Sequence, residues 1–72
     1  MTMDQTTAKV LTDLLRELSS ELDLHHDDVE FRALKPTIET LRRAATLMAD
    51  AGLKAPEVYH HVMRRFEQAT RS

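Results

Sequence analysis

Apolar side chains recur at alternating spacings of three and four residues along most of this chain. That spacing places them on one side of an α-helix, so each segment buries one stripe against another helix. The first stripe contains Leu11, Leu15, Leu18 and Leu22, with Val10 and Leu14 widening it on one side. The second contains Phe31, Leu34, Ile38, Leu41, Ala45 and Met48, and the third contains Val58, Tyr59, Val62, Met63, Phe66 and Ala69. We therefore predict an all-α fold, a small three-helix bundle.

Capping signals indicate where the three predicted helices begin and end. The helices cover roughly residues 7–23, 28–51 and 56–69. A threonine, Thr6 or Thr7, stands where the first helix begins and can cap it. Gly52, the single glycine, follows the second helix with the apolar Leu53 directly after it, which is typical of a helix C-terminus. Pro56 stands in the favourable first turn of the third helix.

The start and the continuity of the second helix depend on an acidic pair and a proline. Asp27 and Glu30 have the spacing of a capping box, which predicts a helix start. Pro36 lies inside the helical pattern, where proline removes a hydrogen bond and clashes with the preceding turn. Either a short helix over 28–34 ends before a new helix with Pro36 at its first position, or one helix kinks near Arg32. The uninterrupted apolar stripe favours the kinked continuous helix.

Length and composition indicate one small domain. We expect residues 1–72 to form a single helical domain, with disorder over residues 1–5. A chain of 72 residues buries only about 60% of the surface that its unfolded form exposes, so a second subunit is a common source of added stability. The absence of cysteine excludes disulfides and thiolate metal sites. The N-terminal residues lack the pattern of a signal peptide or a membrane span, so we expect a cytoplasmic protein with no membrane partner.

Charge is divided unevenly along the chain. Residues 1–30 hold eight acidic and two basic side chains, and residues 31–72 hold four acidic and eight basic ones. The formal charge is therefore −6 on the first part and +4 on the second, within a total of −2. Opposite charges on so small a protein attract each other. We therefore favour an acidic helix that lies beside a basic one, within the fold or across a dimer.

The histidine pairs give little support to a metal site, and no motif supports catalysis. His25–His26 and His60–His61 are adjacent in sequence, and neighbours on a helix diverge by about 100°, so each pair offers a metal at most one ligand. Solvated surface histidines explain them better, and we expect no metal and no cofactor. The chain has no nucleophile motif and no glycine-rich phosphate loop, and it is too small to enclose a large pocket. We predict that it is not an enzyme.

A segment that loosely resembles a helix-turn-helix keeps DNA binding as the alternative function. Residues 47–66 have the pattern of helix, glycine turn and helix, and Arg64 and Arg65 lie on the polar side of the second helix. The part from which a recognition helix reads bases, however, contains Pro56 and Glu57. A pI near 6.0 also weakens attraction to phosphates.

The apolar edges exceed what a three-helix monomer comfortably covers, and this favours protein recognition. Leu47 lies away from the second stripe, and association would bury it. We expect a homodimer in which the long second helix or the acidic first helix pairs antiparallel across a two-fold axis. The candidate partner-binding residues are the basic set His60, His61, Arg64 and Arg65, the acidic set Asp13, Glu17, Glu21 and Asp23, and Leu47. The pattern thus predicts a small accessory or regulatory protein that binds a protein partner.

Overall fold

The computed structural model describes residues 4–71, apart from the side chain of Asp28. Within that range the chain is 85% helical and contains no strand. The helices are α1 (Gln5–His25), α2 (Asp28–Ala33), α3 (Lys35–Asp50) and α4 (Glu57–Arg71). The predicted all-α bundle is confirmed. It has four helices in place of three, because the second predicted helix is divided.

The three long helices run up, down and up. α1 packs against α3 and α4, and α2 packs against α4. α3 begins near the end of α1, because only α2 and two short connections join them, so α3 returns along α1 in the opposite direction. Arg65 of α4 reaches Asp23 near the end of α1, so α4 runs parallel to α1. The molecule measures 40 × 19 × 18 Å and is therefore about two helix diameters thick.

An aspartate caps α1 in place of the predicted threonine. The Oδ1 atom of Asp4 accepts a hydrogen bond of 2.7 Å from the backbone N–H of Thr7, which satisfies one of the free donors at the helix start. Because a carboxylate is as good a cap as a hydroxyl, α1 begins at Gln5, earlier than predicted. The prediction of disorder over residues 1–5 falls mostly on residues 1–3, which lie outside the described residues.

The second predicted helix breaks at Leu34, which corrects the preference for a kinked continuous helix. Leu34 has φ −94° and ψ 14°, and its N–H donates to the carbonyl oxygen of Phe31 at 3.1 Å. Helix resumes at Lys35 with Pro36 in the first turn. The proline has no N–H to satisfy there and its fixed φ suits a helix start, so it begins a helix and does not kink one.

The predicted starts of α2 and α4 and the predicted end of α3 are confirmed to within one residue, whereas α1 and α4 each extend two residues past their predicted ends, to His25 and Arg71. The Asp27 carboxylate accepts from the N–H of Glu30 at 2.9 Å, and the Glu30 carboxylate accepts from the N–H of Asp27 at 3.1 Å, which completes the capping box. Gly52 has φ +80°, the left-handed conformation of a helix C-terminus, and the N–H of Leu53 donates to the carbonyl oxygen of Met48 at 2.8 Å. α4 begins directly after the second proline.

All four helices supply apolar side chains to one core. The buried residues are Leu15, Leu22, Phe31, Ile38, Leu41, Met48, Tyr59, Val62 and Ala69. The second and third stripes therefore face the core as predicted, but the first requires a correction. Leu18 is 47% exposed, whereas its neighbour Ser19 is fully buried. α1 offers a wider apolar surface than two neighbouring helices cover, and α4 lies on its Asp23 side, so the contact includes Ser19 and leaves Leu18 outside.

Candidate functional site

A row of large apolar side chains is exposed on α1. Val10, Leu14 and Leu18 are 54%, 51% and 47% exposed, and their spacing of four residues makes them neighbours along the helix. Leu47 on α3 is 55% exposed. It lies on the side of its helix away from the second apolar stripe, as the sequence predicts. One exposed leucine is ordinary, whereas a contiguous set is typical of a binding surface.

These four residues lie on the side of the molecule away from α4. Asp23 marks the α4 side of α1, because it contacts Arg65 of α4, and Leu14 lies nine residues earlier, which is about 180° around the helix. Arg42 marks the α4 side of α3, because its Nη2 lies 3.9 Å from Sδ of a methionine on α4. Leu47 follows it by five residues, or about 140° around the helix. We call the surface formed by Val10, Leu14, Leu18 and Leu47 the outer face.

The outer face is bordered by an acidic residue on α1 and by a basic residue on α3. On α1, the half-buried Leu11 borders the apolar row on the side toward α3, and the exposed Glu17 borders it on the far side. On α3, the half-buried Ala44 borders the exposed leucine on the side toward α1, and the exposed Arg43 borders it on the far side. A shallow groove follows the Arg43 border, and its lining combines Arg42 and Arg43 with the acidic Glu39 and with Thr46 and Leu47.

The charged residues predicted on α1 differ in their contacts. Asp13 pairs with Arg16 at 2.9 Å, and Glu21 lies 3.4 Å from Nε2 of His25, so both have partners within their own helix. Glu17 forms no ion pair with any residue that the structure describes. It is therefore the predicted acidic residue most available to a partner at the outer face.

Arg65 joins α4 to the end of α1 and the start of α2. Its Nη1 donates to the backbone and side-chain oxygens of Asp23 at 2.9 and 3.0 Å, and its Nη2 donates to the carbonyl oxygen of His26 at 2.9 Å. Its guanidinium also lies 4.4 Å from the centre of the Phe31 ring, within the range of a cation–π interaction. Arg65 therefore stabilises the fold, although the sequence indicates an exposed partner-binding residue.

The basic and acidic sets, which the sequence suggests as separate binding surfaces, meet at Asp23. Besides Arg65, the Asp23 carboxylate contacts Nε2 of His61 at 3.0 Å. This confirms the interpretation that an acidic helix lies beside a basic helix within the fold. Of the predicted basic residues, His60 and Arg64 remain exposed on the solvent side of α4. The His60 ring makes an edge contact with the Tyr59 ring, with 5.2 Å between the ring centroids.

Tyr59 and two buried polar atoms are the remaining groups of chemical interest. Burial raises the pKa of the Tyr59 hydroxyl above 10.0, and the nearby positive charge of Arg42 partly opposes this effect. Oγ of Ser19 and Nδ1 of His26 are buried without a hydrogen-bond partner among the described residues. Ser19 lies within α1, and His26 follows the end of that helix.

The described part of the chain contains neither a cluster of metal-ligating side chains nor a helix that could span a membrane. Within residues 4–71, no three His, Cys, Asp or Glu side chains come close enough together to hold a metal ion. No helix there has the length and the apolar character needed to cross a bilayer.

The segment of the alternative DNA-binding prediction, residues 47–66, contains the end of α3, the Gly52 turn and the first part of α4. One of the two arginines of this prediction, Arg65, donates hydrogen bonds to the carbonyl oxygens of Asp23 and His26. Glu57 stands in the first turn of α4. Of the paired arginines, only Arg64 remains available to a phosphate.

Comparison with known protein families, with curated protein sequences and with solved structures found no match to this chain.

The sequence indicates two members of this site directly, Leu47 and Glu17. Val10, Leu14 and Leu18 also lie on its apolar pattern, but the pattern assigns Leu18 to the core. The sequence signal that identifies these three residues is the width of the apolar side of α1. The apolar side of α1 is broader than one stripe, and the side that lies away from Asp23 stays uncovered.

Proposed function

We propose that this chain is a non-catalytic accessory or regulatory protein that acts by binding protein through its outer face. The observation that carries the proposal is the unbroken row Val10, Leu14 and Leu18, each about half exposed, beside an equally exposed Leu47. Burying a leucine side chain is worth about 1.5–3 kcal/mol, so half-exposed leucines in one patch supply much of the free energy of a specific contact.

The charged residues at the edges of the outer face restrict which partner binds and in which orientation. Glu17 on one edge and Arg43 on the other are exposed and carry opposite charges. Rim charges of this kind select a partner and its orientation more than they add affinity. The polar side of α4 is a weaker candidate surface, because Arg65 and His61 already contact Asp23.

Substituting Leu14 tests the proposal. Leu14→Gln removes the centre of the apolar row and keeps a good helix former at that position. We expect it to abolish association, measured by light scattering on the purified protein and by quantitative capture of host proteins on immobilised chain. Val29→Gln is the matched control, because Val29 is 74% exposed but lies on α2, away from the outer face.

Circular dichroism must show that both variants keep their helix content. Loss of association in Leu14→Gln with retention in Val29→Gln supports the proposal. Equal association in both variants contradicts it, as does a wild-type protein that associates with nothing in either assay.

A further inference from the structure

We infer that the occupant of the outer face is a second copy of this chain, in a two-fold dimer that places α1 of each protomer over α3 of the other. This inference rests on the function proposed above and names its partner. The charges on the two edges, the size of the face and the register of the helices each support it.

The side of the molecule that carries the outer face can hold a dimer interface. The molecule is 40 Å long and 19 Å wide, so one whole side offers at most roughly 760 Å² of projected area, and a contact that covers the whole side reaches nearly the ~800 Å² per partner of a standard stable interface. The two helices that form this side, α1 and α3, pack against each other. Two copies joined here pack α1 and α3 of one protomer against α1 and α3 of the other. The interface is then a four-helix bundle, a common arrangement in small helical proteins.

The edge charges select one of the two face-to-face arrangements. A two-fold axis across the helices places α1 over α1 of the partner and brings the two acidic edges together, with Glu17 and Glu21 of both copies on one side. A two-fold axis parallel to the helices places α1 over α3 of the partner, so the Glu17 edge meets the Arg43 edge. The second arrangement replaces repulsion with attraction at both edges.

The register agrees with this choice. Glu17 lies eight residues before the end of α1 at His25, and Arg43 lies eight residues after the start of α3 at Lys35. Both helix ends lie toward the same end of the molecule, and each charge lies about 12 Å along its own helix from that helix's end. An axis parallel to the helices preserves height, and therefore Glu17 of one copy faces Arg43 of the other. Leu14 and Leu47 also match in height, to within one residue.

Two charge-reversed variants test this geometry by exchange. Glu17→Arg alone creates two like-charge contacts per dimer, and Arg43→Glu alone does the same, so each should weaken dimerisation roughly tenfold. In an equimolar mixture, the heterodimer of the two variants contains two opposite-charge contacts. Sedimentation equilibrium and native mass spectrometry should therefore show a 1:1 heterodimer with near wild-type affinity.

Arg64→Glu is the matched control for the exchange, because Arg64 is an exposed arginine on α4, away from the outer face. The heterodimer of Arg64→Glu with Glu17→Arg keeps one like-charge contact and one opposite-charge contact, so it should bind more weakly than the heterodimer of Glu17→Arg with Arg43→Glu. Equal affinity of these two heterodimers, or no recovery with Arg43→Glu, overturns the inference. A wild-type chain that stays monomeric while Leu14→Gln abolishes binding to another protein overturns the second-copy inference and leaves the proposed function in place. If Leu14→Gln has no effect on any association, both are wrong.

Discussion

Adjacent residues of the same type have different roles in this fold, as Arg64 and Arg65 illustrate. Both lie on the polar side of α4 in the sequence pattern, and only the position of α1 and α2 distinguishes them. Arg65 points toward the α1–α2 connection, where two carbonyl oxygens, a carboxylate and an aromatic ring receive its guanidinium. A long side chain can cross the boundary of a helical stripe in this way, so helical periodicity alone does not predict its partners.

Replacing Arg65 should therefore destabilise the protein, whereas replacing Arg64 should not. Arg65→Ala removes the donor to the carbonyl oxygens of Asp23 and His26 and leaves the Asp23 carboxylate with His61 alone, so we expect a loss of about 2–3 kcal/mol, or roughly 10–20 °C in Tm. Arg64→Ala, at an exposed position, should change stability by less than about 0.5 kcal/mol. Urea unfolding followed by circular dichroism measures both. Equal stability of the two variants would show that the contacts of Arg65 contribute nothing in solution.

At the scale of elements, the helix ends were predictable where a local rule decides them. The capping box of Asp27 and Glu30 and the Gly52 terminus are each formed within a few residues, and the structure confirms them. The choice between a kink and a break at Pro36 is different in kind. α2 packs against α4, with Phe31 beneath the guanidinium of Arg65, whereas α3 packs against α1, so the two halves of the predicted helix have different partners far away in sequence. No local pattern contains that information.

The Asp4 cap of α1 gives the element a testable pH dependence. The hydrogen bond from the Thr7 N–H lowers the pKa of Asp4 below 3.8. A lowered folded-state pKa means that the cap stabilises α1 fully above the unfolded value, and that this contribution is lost as the pH falls from there through the folded-state pKa. NMR titration should show protonation of Asp4 at its carboxyl carbon and loss of the capping hydrogen bond at the Thr7 amide, over the same pH range.

Asp4→Asn separates the cap from its charge. Asparagine also accepts the hydrogen bond but does not titrate. The Thr7 amide should then keep its capped chemical shift across the same acidic range. A wild-type Asp4 that titrates at or above 3.8 would contradict the assignment of the cap.

At the scale of the whole molecule, the sequence predicts how much apolar surface exists but not which part of it stays exposed. The excess on the first helix is visible in its broad pattern, and Leu47 stands out on its own. The exposure of Leu14 and Leu18, by contrast, follows from the position of α4 on the Asp23 side of α1, which depends on packing between residues far apart in sequence. The outer face is therefore a property of the assembled bundle, and its edge charges are identified only once α1 and α3 are placed side by side.

A protein of this size that covers its outer face with a second copy must have a stability that depends on concentration. Association stabilises the folded state by mass action, by up to about 2.7 kcal/mol at roughly a hundredfold excess over the dissociation constant, so the wild-type Tm should rise by several degrees over such a range. Leu14→Gln should melt at one temperature throughout, and Val29→Gln should follow the wild type. The Tm of a protein that unfolds as a monomer does not depend on protein concentration. A constant wild-type Tm across that range would therefore mean that no second copy covers the outer face.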